Sequence, residues 1–164
     1  MSQQPQKQDL VMLDPTWANH YTIFNGTANI TKVNMYDPKT NGFKFNEVKH
    51  ALNNRAPKGS LVLFQACAQN PTGIDPSEEQ WVALSKVCKD KGLIPIVDSA
   101  YLGFVTANFE KDSFPVRLFA EDGHDFFYCQ SFSKNMGLYG ERLGALHVVC
   151  KDSNIAAQVV KYFE

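Results

Sequence analysis

The chain has 164 residues, of which 44% are hydrophobic and 20% are charged, and its formal net charge is −1. This length and composition predict a single globular domain. Because the charge is close to neutral, we expect neither nucleic acid nor an anionic membrane surface as a partner.

The predicted elements alternate between strands and helices along the chain. Residues 1–10 are polar and predict a flexible tail, and residues 11–164 predict the domain itself. Continuous apolar or β-branched runs predict strands at residues 29–36, 60–66, 93–97, 126–129 and 145–150. Helical spacing predicts helices at 46–53, from Asp75 to Gly92, and from Asp152 or Ser153 onward.

The helix that precedes Gly92 has strong sequence signals at both ends. Asp75 is the predicted N-cap, Pro76 is the first helical residue, and Glu78 closes a capping box. Gly92 ends the helix. One apolar face is formed by Trp81, Leu84 and Cys88.

The alternation of elements predicts an α/β fold, in which a mostly parallel sheet is covered by helices on both faces. Ligands of such sheets bind at the carboxyl ends of the strands. Asn70, Asp98, and the pair Ser131 and Lys134 follow three successive predicted strands. These residues therefore predict a binding site at one edge of the sheet.

The segment around Lys134 indicates a specific chemistry. A lysine at the end of a buried strand can lose its proton and attack an aldehyde. A shielded carboxylate such as Asp98 needs a donor partner, and a pyridinium N–H would supply one. Together they predict a lysine Schiff base to pyridoxal 5′-phosphate, PLP. The remaining candidates are Asn70 and Tyr101 for the phenolic oxygen, Ser131 and Arg142 for the phosphate, and Trp17 as a plate on the ring.

Each candidate also has a structural alternative. Asn70 can simply make its Asn-Pro-Thr-Gly turn, and Asp98 can cap a helix. Trp17 and Tyr101 can be core aromatic residues, and Arg142 can pair with a surface carboxylate. The order in which all the candidates occur together favours the cofactor site.

Five segments resemble the aspartate aminotransferases, in that family's order and with similar spacing. They are PTWANH at 15–20, ACAQNPTG at 66–73, DPSEEQW at 75–81, DSAYLGF at 98–104 and QSFSKNMGLYGER at 130–142. The resemblance runs from about residue 11 to the C-terminus. It implies the three-layer αβα large domain of the PLP-dependent transferases, and a homodimer in the full-length form.

The resemblance also implies an activity and the residues that carry it. The reaction converts L-aspartate and 2-oxoglutarate to oxaloacetate and L-glutamate, so the partners are a small amino acid and a 2-oxo acid. Lys134 and Tyr101 are the implied catalytic residues. Lys134 carries PLP and moves the substrate Cα proton. The implied cofactor contacts are Trp17, Asn70, Asp98, Tyr101, Ser131, Lys134 and Arg142.

The chain departs from the family in length and at three positions. Family members are far longer, so we expect a large domain truncated at both ends, with the small domain and the substrate-binding arginines absent. Gln65 and Gln69 stand where the family usually has histidines, and Leu102 stands where glutamine is usual. We expect Gln69 to lie close to Asp98, where an amide in place of an imidazole weakens the hydrogen-bond support of the carboxylate but can still donate to it.

Two alternatives to the aspartate enzyme stay open. The chain can be an inactive fragment that binds PLP or pairs with a full-length relative, or an aromatic or kynurenine-type aminotransferase. The four cysteines are widely separated and form no C-x-x-C pair, so no metal site is expected. Because the N-terminus lacks the apolar core of a signal peptide, we expect a cytoplasmic protein.

Overall fold

The structure is a computed structural model that describes residues 6–163. A six-stranded sheet has the order β2-β1-β5-β6-β7-β8, and only the β7–β8 pair is antiparallel. A two-stranded hairpin, β3–β4, lies outside it. The strands are β1 Gln8–Asp14, β2 Ala28–Asn34, β3 Tyr36–Asp37, β4 Gly42–Phe43, β5 Leu61–Gln65, β6 Ile94–Ser99, β7 Phe126–Ser131 and β8 Gly144–Val149.

Within residues 6–163, five helices lie in the connections between strands and a sixth follows β8. They are α1 Ala18–Phe24, α2 Phe45–Asn54, α3 Glu78–Lys91, α4 Phe109–Asp112, α5 Phe114–Glu121 and α6 Ser153–Phe163. Helices α2, α3 and α5 pack against one face of the sheet, and α1 packs against the other. The predicted α/β fold with helices on both faces is confirmed. No helix within residues 6–163 is long and apolar enough to cross a membrane.

The apolar side chains of the central strands alternate between the two faces, as the period of a strand requires. In β5, Val62 and Phe64 enter the larger core under α2, α3 and α5, whereas Leu63 faces the smaller core beside α1. In the larger core, the rings of Phe64 and Phe119 stack with centroids 5.9 Å apart, and Trp81 meets Phe64 edge to face. The continuous apolar pattern of these strands follows from burial on both faces.

The predicted tail at residues 1–10 is corrected over part of its length. Residues 8–10 belong to β1, where Gln8 pairs with Ala28 and Leu10 pairs with both Ile30 and Leu61. Leu10 is fully buried, because the apolar residues 10–13 form a central strand that the sequence pattern did not predict. Residues 1–5 lie outside the described part of the chain.

The N-terminus of α3 also differs from the prediction. Ser77, not Asp75, is the N-cap, and its hydroxyl accepts a hydrogen bond from the backbone N–H of Gln80. The Gln80 side chain closes the capping box by accepting from the Ser77 N–H, at 2.9 Å. Gly92 ends the helix with a left-handed φ of 62°, as predicted. Asp75 instead accepts hydrogen bonds from the backbone N–H groups of Ala68 and Gln69, at 2.7 and 2.9 Å.

This cap predicts which substitution destabilises α3. Ser77→Ala should lower the free energy of unfolding by about 1 kcal/mol, because it leaves N–H groups of the first turn without an acceptor. Glu78→Gln should lower it by about 0.5 kcal/mol or less, since Glu78 contributes only through the helix dipole. Urea denaturation of both variants checks this, and an equal loss from both would contradict the observed capping box.

The buried residue His124 lies just before β7, at the end of the sheet opposite to the carboxyl ends of the parallel strands. The Ser85 hydroxyl donates to Asp122 Oδ2 at 2.5 Å and lies 2.9 Å from His124 Nε2. Since the hydroxyl proton is directed to Asp122, His124 Nε2–H must be the donor to Ser85. Burial lowers the pKa of His124 below 6.5, and this outweighs the opposing charge of Asp122.

The lowered pKa predicts how stability changes with pH. Below the unfolded-state value of 6.5, the unfolded chain binds a proton at His124 more readily than the folded chain does. The free energy of unfolding should therefore fall as the pH drops from about 7.5 to about 5.5. His124→Gln keeps a donor for Ser85 and should show a smaller decrease. Urea denaturation at the two pH values measures the difference, and parallel decreases in both proteins would contradict it.

Candidate functional site

A cavity of about 200 Å³ opens at the carboxyl ends of the parallel strands. The connections that follow β1, β5, β6 and β7 form its walls. The seven predicted cofactor contacts all line it: Trp17, Asn70, Asp98, Tyr101, Ser131, Lys134 and Arg142. Gln65, which the sequence marked only as a departure from the family, completes the lining together with Ala100 and Ser133, which it did not mark. The fold therefore brings every predicted contact to one cavity.

Asp98, near the end of β6, is held by a histidine that the sequence argument left without a role. His20 Nε2 lies 3.1 Å from Asp98 Oδ2, and their side chains are 5% and 24% exposed. Within residues 6–163, the second carboxylate oxygen, Oδ1, accepts no hydrogen bond. Asp98 is therefore anchored through one oxygen and has acceptor capacity left at the cavity.

The hydrogen bonds behind His20 have a defined direction. Gln65 Nε2 donates to Thr16 Oγ1 at 3.1 Å, and Thr16 Oγ1 lies 2.8 Å from His20 Nδ1. When the Thr16 hydroxyl donates onward to Nδ1, the proton of the neutral imidazole is on Nε2 and points at Asp98. The amide of Gln65 thus begins a chain of donors that ends at the carboxylate.

The prediction that Gln69 supports Asp98 is corrected. Gln69 Nε2 donates to the carbonyl oxygens of Pro15 and Asn70, at 2.7 and 3.0 Å. Its Oε1 accepts from the backbone N–H and the hydroxyl of Thr72. Because all of these partners belong to the connections after β1 and β5, Gln69 fixes the backbone around Asn70 and leaves Asp98 to His20.

The loop that carries Asn70 is also tied to Gln65. Gln65 Oε1 accepts from the Asn70 N–H at 2.9 Å, and Gln65 Nε2 donates to the Asn70 carbonyl at 3.0 Å. Gln65 is paired with Asp98 in the register of β5 and β6. One glutamine therefore joins the Asn70 backbone to the same donor chain that reaches Asp98.

Lys134 and Tyr101 face each other across the cavity. The Lys134 ammonium lies 5.0 Å from the centre of the Tyr101 ring, which is within the range of a cation–π contact. Tyr101 in turn meets Phe104 edge to face, with centroids 6.3 Å apart. Both side chains are partly exposed at the cavity, so the alternative that Tyr101 is a core aromatic residue does not hold.

Lys134 and Arg142 lie on one loop that is closed by β7 and β8. Ser131 pairs with Gly144, and the Phe132 N–H donates to the Leu143 carbonyl at 3.1 Å. A Cβ atom on Gly144 would lie 2.6 Å from the Gln130 carbonyl oxygen, so only glycine permits this approach. Arg142 is exposed and has a left-handed φ of 51°.

The other structural alternatives can be compared with the observed positions. Trp17 is 37% exposed and meets His20 edge to face at 5.3 Å, so it is not a core residue. Asp98 lies inside strand β6 and caps no helix. Ser131 Oγ accepts from the Ser133 N–H at 3.3 Å, which leaves the Ser131 hydroxyl proton available at the cavity. These side chains can therefore still bind a ligand.

Sequence reasoning gave no role to His20, and it noted Gln65 only as a departure from the family near the site. His20 is part of the PTWANH segment, and it lies four residues after Thr16, a spacing that places two side chains on one face of a helical turn. That spacing was the available signal for the Thr16–His20 contact. Gln65 carried no such signal, because its contacts depend on the pairing of β5 with β6.

The Cys129 thiol, beside Asp98 in the β6–β7 register, remains protonated. Burial raises the pKa of Cys129, and repulsion by the Asp98 carboxylate raises it further. This thiol is therefore not an anionic nucleophile near neutral pH. Among the described residues of the cavity, the best candidate nucleophile is the amine of Lys134.

Comparison with known proteins gives consistent matches over nearly the whole chain. The sequence profile of the family described as Aminotransferase class I and II matches residues 1–163. The chloroplastic aspartate aminotransferase of Arabidopsis thaliana is 48% identical over 151 residues, which are 92% of this chain and 33% of that protein. The cytoplasmic aspartate aminotransferase of rice, Oryza sativa subsp. japonica, is 42% identical over 146 residues, 88% of this chain and 36% of that protein.

A solved structure agrees at the level of the fold. The aromatic-amino-acid aminotransferase from Burkholderia pseudomallei, covalently bound to pyridoxal phosphate, superposes with a TM-score of 0.91 and 38% identity. The match covers 94% of this chain and 39% of that structure. The chain thus spans about a third of the length of the curated relatives described above.

The contact between His20 and Asp98 generates a prediction about stability. His20→Ala should lower the free energy of unfolding by about 1–3 kcal/mol, because it leaves a partly buried carboxylate without its donor. In an Asp98→Asn background, His20→Ala should lower the free energy of unfolding by a smaller amount. Urea denaturation of the four proteins measures this coupling. His50→Ala, at an exposed histidine, is the control, and strictly additive losses would contradict the contact.

Proposed function

This chain belongs to the class I and II aminotransferases, and from that premise we propose that its cavity is the cofactor site of an aspartate aminotransferase. One observation carries the proposal: the seven predicted contacts to PLP, from Trp17 to Arg142, line a single cavity. The relatives that are 48% and 42% identical are both aspartate aminotransferases. The proposed reaction transfers an amino group between L-aspartate and 2-oxoglutarate.

The residues of the cavity fit PLP in their chemistry. Asp98 has a carboxylate oxygen available for a pyridinium N–H, and His20 holds its other oxygen. Asn70 and Tyr101 offer an amide and a phenol as donors to the phenolic oxygen. Ser131 and Arg142 offer a hydroxyl and a guanidinium, which are suited to a phosphate. Trp17, at the rim, offers an aromatic face for the ring.

When bound, PLP supplies an aldehyde carbon that links to amines and a pyridine ring that accepts electrons. Lys134 provides the amine that holds the cofactor. The Lys134 Nζ, when free, would be the base that accepts the proton of the substrate Cα and later gives it back. The Tyr101 ring, 5.0 Å from Nζ, limits where that amine can move.

Asp98 would hold the pyridine nitrogen of bound PLP and would favour its protonated form. An anionic oxygen at a partly buried position favours the protonated form of a neighbouring base. His20 holds the other oxygen of this carboxylate, Oδ2, and the Gln65–Thr16 donor chain sets the tautomer of His20. These residues therefore orient the cofactor and do not themselves exchange protons with the substrate.

The substrate, the assembly and the compartment are further parts of this proposal. Aspartate is favoured over aromatic substrates by the two curated relatives, whereas the aromatic-amino-acid enzyme supports the alternative. We expect a homodimer in the full-length form. A cytoplasmic location agrees with the rice relative, while the Arabidopsis relative is chloroplastic. The inactive PLP-binding fragment remains the second alternative.

The test begins with covalent labelling. The purified chain is mixed with PLP, reduced with borohydride and digested, and the labelled residue is found by mass spectrometry. We expect one dominant label on Lys134, and none at that site in Lys134→Arg. Lys86→Arg, at a lysine on the exposed face of α3, should leave the label unchanged. A label spread evenly over surface lysines would overturn the cofactor site.

Turnover then separates the alternatives. Aspartate, phenylalanine and tyrosine are each offered with 2-oxoglutarate, and formation of glutamate is measured. Faster reaction with aspartate supports the proposed activity. Faster reaction with the aromatic donors supports the aromatic enzyme, and specific labelling of Lys134 without any turnover supports the inactive fragment.

A further inference from the structure

Asp112 is a buried carboxylate without a cationic partner. The residue is 4% exposed, and it ends the short helix α4. Within residues 6–163, no lysine, arginine or histidine lies within ion-pair distance of it. A buried charge of this kind is costly unless hydrogen bonds replace the lost water. The partners of Asp112 therefore show what the carboxylate does in the fold.

All the donors to Asp112 come from the loop that follows Tyr101. Oδ2 accepts from the backbone N–H groups of Gly103 and Val105, at 2.8 and 3.2 Å. Oδ1 accepts from the N–H and the hydroxyl of Thr106, at 3.2 and 2.7 Å. The chain after Tyr101 is thus wrapped around one carboxylate, which uses both of its oxygens.

The wrapped loop begins directly at the tyrosine of the cavity. The Tyr101 carbonyl accepts from the Phe104 N–H at 3.0 Å, and the Tyr101 and Phe104 rings are in contact. Gly103 has a left-handed φ of 86°, and a Cβ atom there would lie 3.2 Å from the Phe109 ring. The backbone two residues after Tyr101 therefore has little freedom while Asp112 holds it.

We propose that Asp112 is a positioning residue of the cofactor site, which orients the Tyr101 phenol through the loop at residues 103–106. This proposal rests on the proposed function, because it concerns the donor that Tyr101 offers to the phenolic oxygen of PLP. A rigid loop keeps the phenol at one distance from that oxygen and from Lys134. A released loop lets the phenol move, and the hydrogen bond weakens.

The test uses the absorbance of the bound cofactor as a function of pH. A donor to the phenolic oxygen stabilises its anionic form, so weakening that donor raises the pH midpoint of the band. Asp112→Asn replaces one acceptor oxygen by an NH2 group, which then faces the donor groups of the loop at residues 103–106. Because two donors cannot form a hydrogen bond with each other, the loop is released. We expect the pH midpoint of the absorbance band in Asp112→Asn to rise by about 0.5 pH unit or more. Tyr101→Phe should shift the midpoint in the same direction.

The double variant decides between positioning and general damage. In a Tyr101→Phe background, Asp112→Asn should cause no further shift, because the phenol is already gone. Asp122→Asn replaces the charged acceptor of Ser85, at the far end of the sheet, by a neutral amide, and should lower the unfolding midpoint without moving the band. A shift that persists in the Tyr101→Phe background, or an unchanged midpoint in Asp112→Asn, would overturn the proposal.

Two further measurements keep the result decisive. If Asp112→Asn does not fold, Thr106→Val removes only the hydroxyl donor, and it should shift the midpoint in the same direction by a smaller amount. Hydrogen exchange at Gly103, Val105 and Thr106 tests the loop without PLP. Faster exchange at these three residues in the Asp112 or Thr106 variant supports the proposed hold of Asp112 on the loop, even when no cofactor band forms. Unchanged exchange overturns the proposal. The absence of a band in the unsubstituted chain would overturn only the proposed function.

Discussion

Parallel pairing of β1, β5, β6 and β7 is the constraint on which the rest of the site depends. Because these strands run in one direction, their carboxyl ends meet at one edge, and each contributes polar residues to the same cavity. The register is specific, since it places Gln65 beside Asp98 and Asp98 beside Cys129. A shift of one residue in this register would turn Asp98 to the opposite face of the sheet.

The carboxylates near this edge of the sheet are stabilised more by hydrogen bonds than by ion pairs. Asp98 is held by His20, whereas Asp75 and Asp112 are held by backbone N–H groups of the loops that they stabilise. Burial raises the pKa of Asp75 against the lowering effect of its two backbone donors, and the Asp112 charge raises it further. The buried Asp112 and the partly buried Asp75 are thus close enough to interact, and each fixes the loop that follows a different strand.

The sequence predicted β5, β6 and β7 and the residues that line the cavity because both depend on local signals. The apolar runs of β5 and β6 and the polar residues after them are visible without knowledge of the fold. The role of Asp75 was not predictable in the same way. Asp-Pro-Ser-Glu is a good helix start, but Ser77 offers an equally good cap, and tertiary hydrogen bonds to Ala68 and Gln69 decided between them.

The contacts of His20 and Gln65 could not be predicted from the sequence for a related reason. Each side chain has several possible partners, and only strand pairing brings Thr16, Gln65 and Asp98 together around one imidazole. β1 was missed because its polar first residues resemble a tail until Ala28 and Leu61 supply the neighbours that pair with it. Non-local pairing is the information that a single sequence does not display.

The hairpin of β7 and β8 has a consequence for how this site can change. Lys134 and Arg142 occupy one closed loop, so the distance between the proposed cofactor amine and the proposed phosphate ligand depends on the length and conformation of that loop. Insertions in the connections after β1, β5 or β6 would leave this distance intact, whereas a single inserted residue between Phe132 and Leu143 would alter it. The loop therefore fixes one distance across the proposed cofactor site, and changes of length in the connections after the other strands leave that distance unaltered.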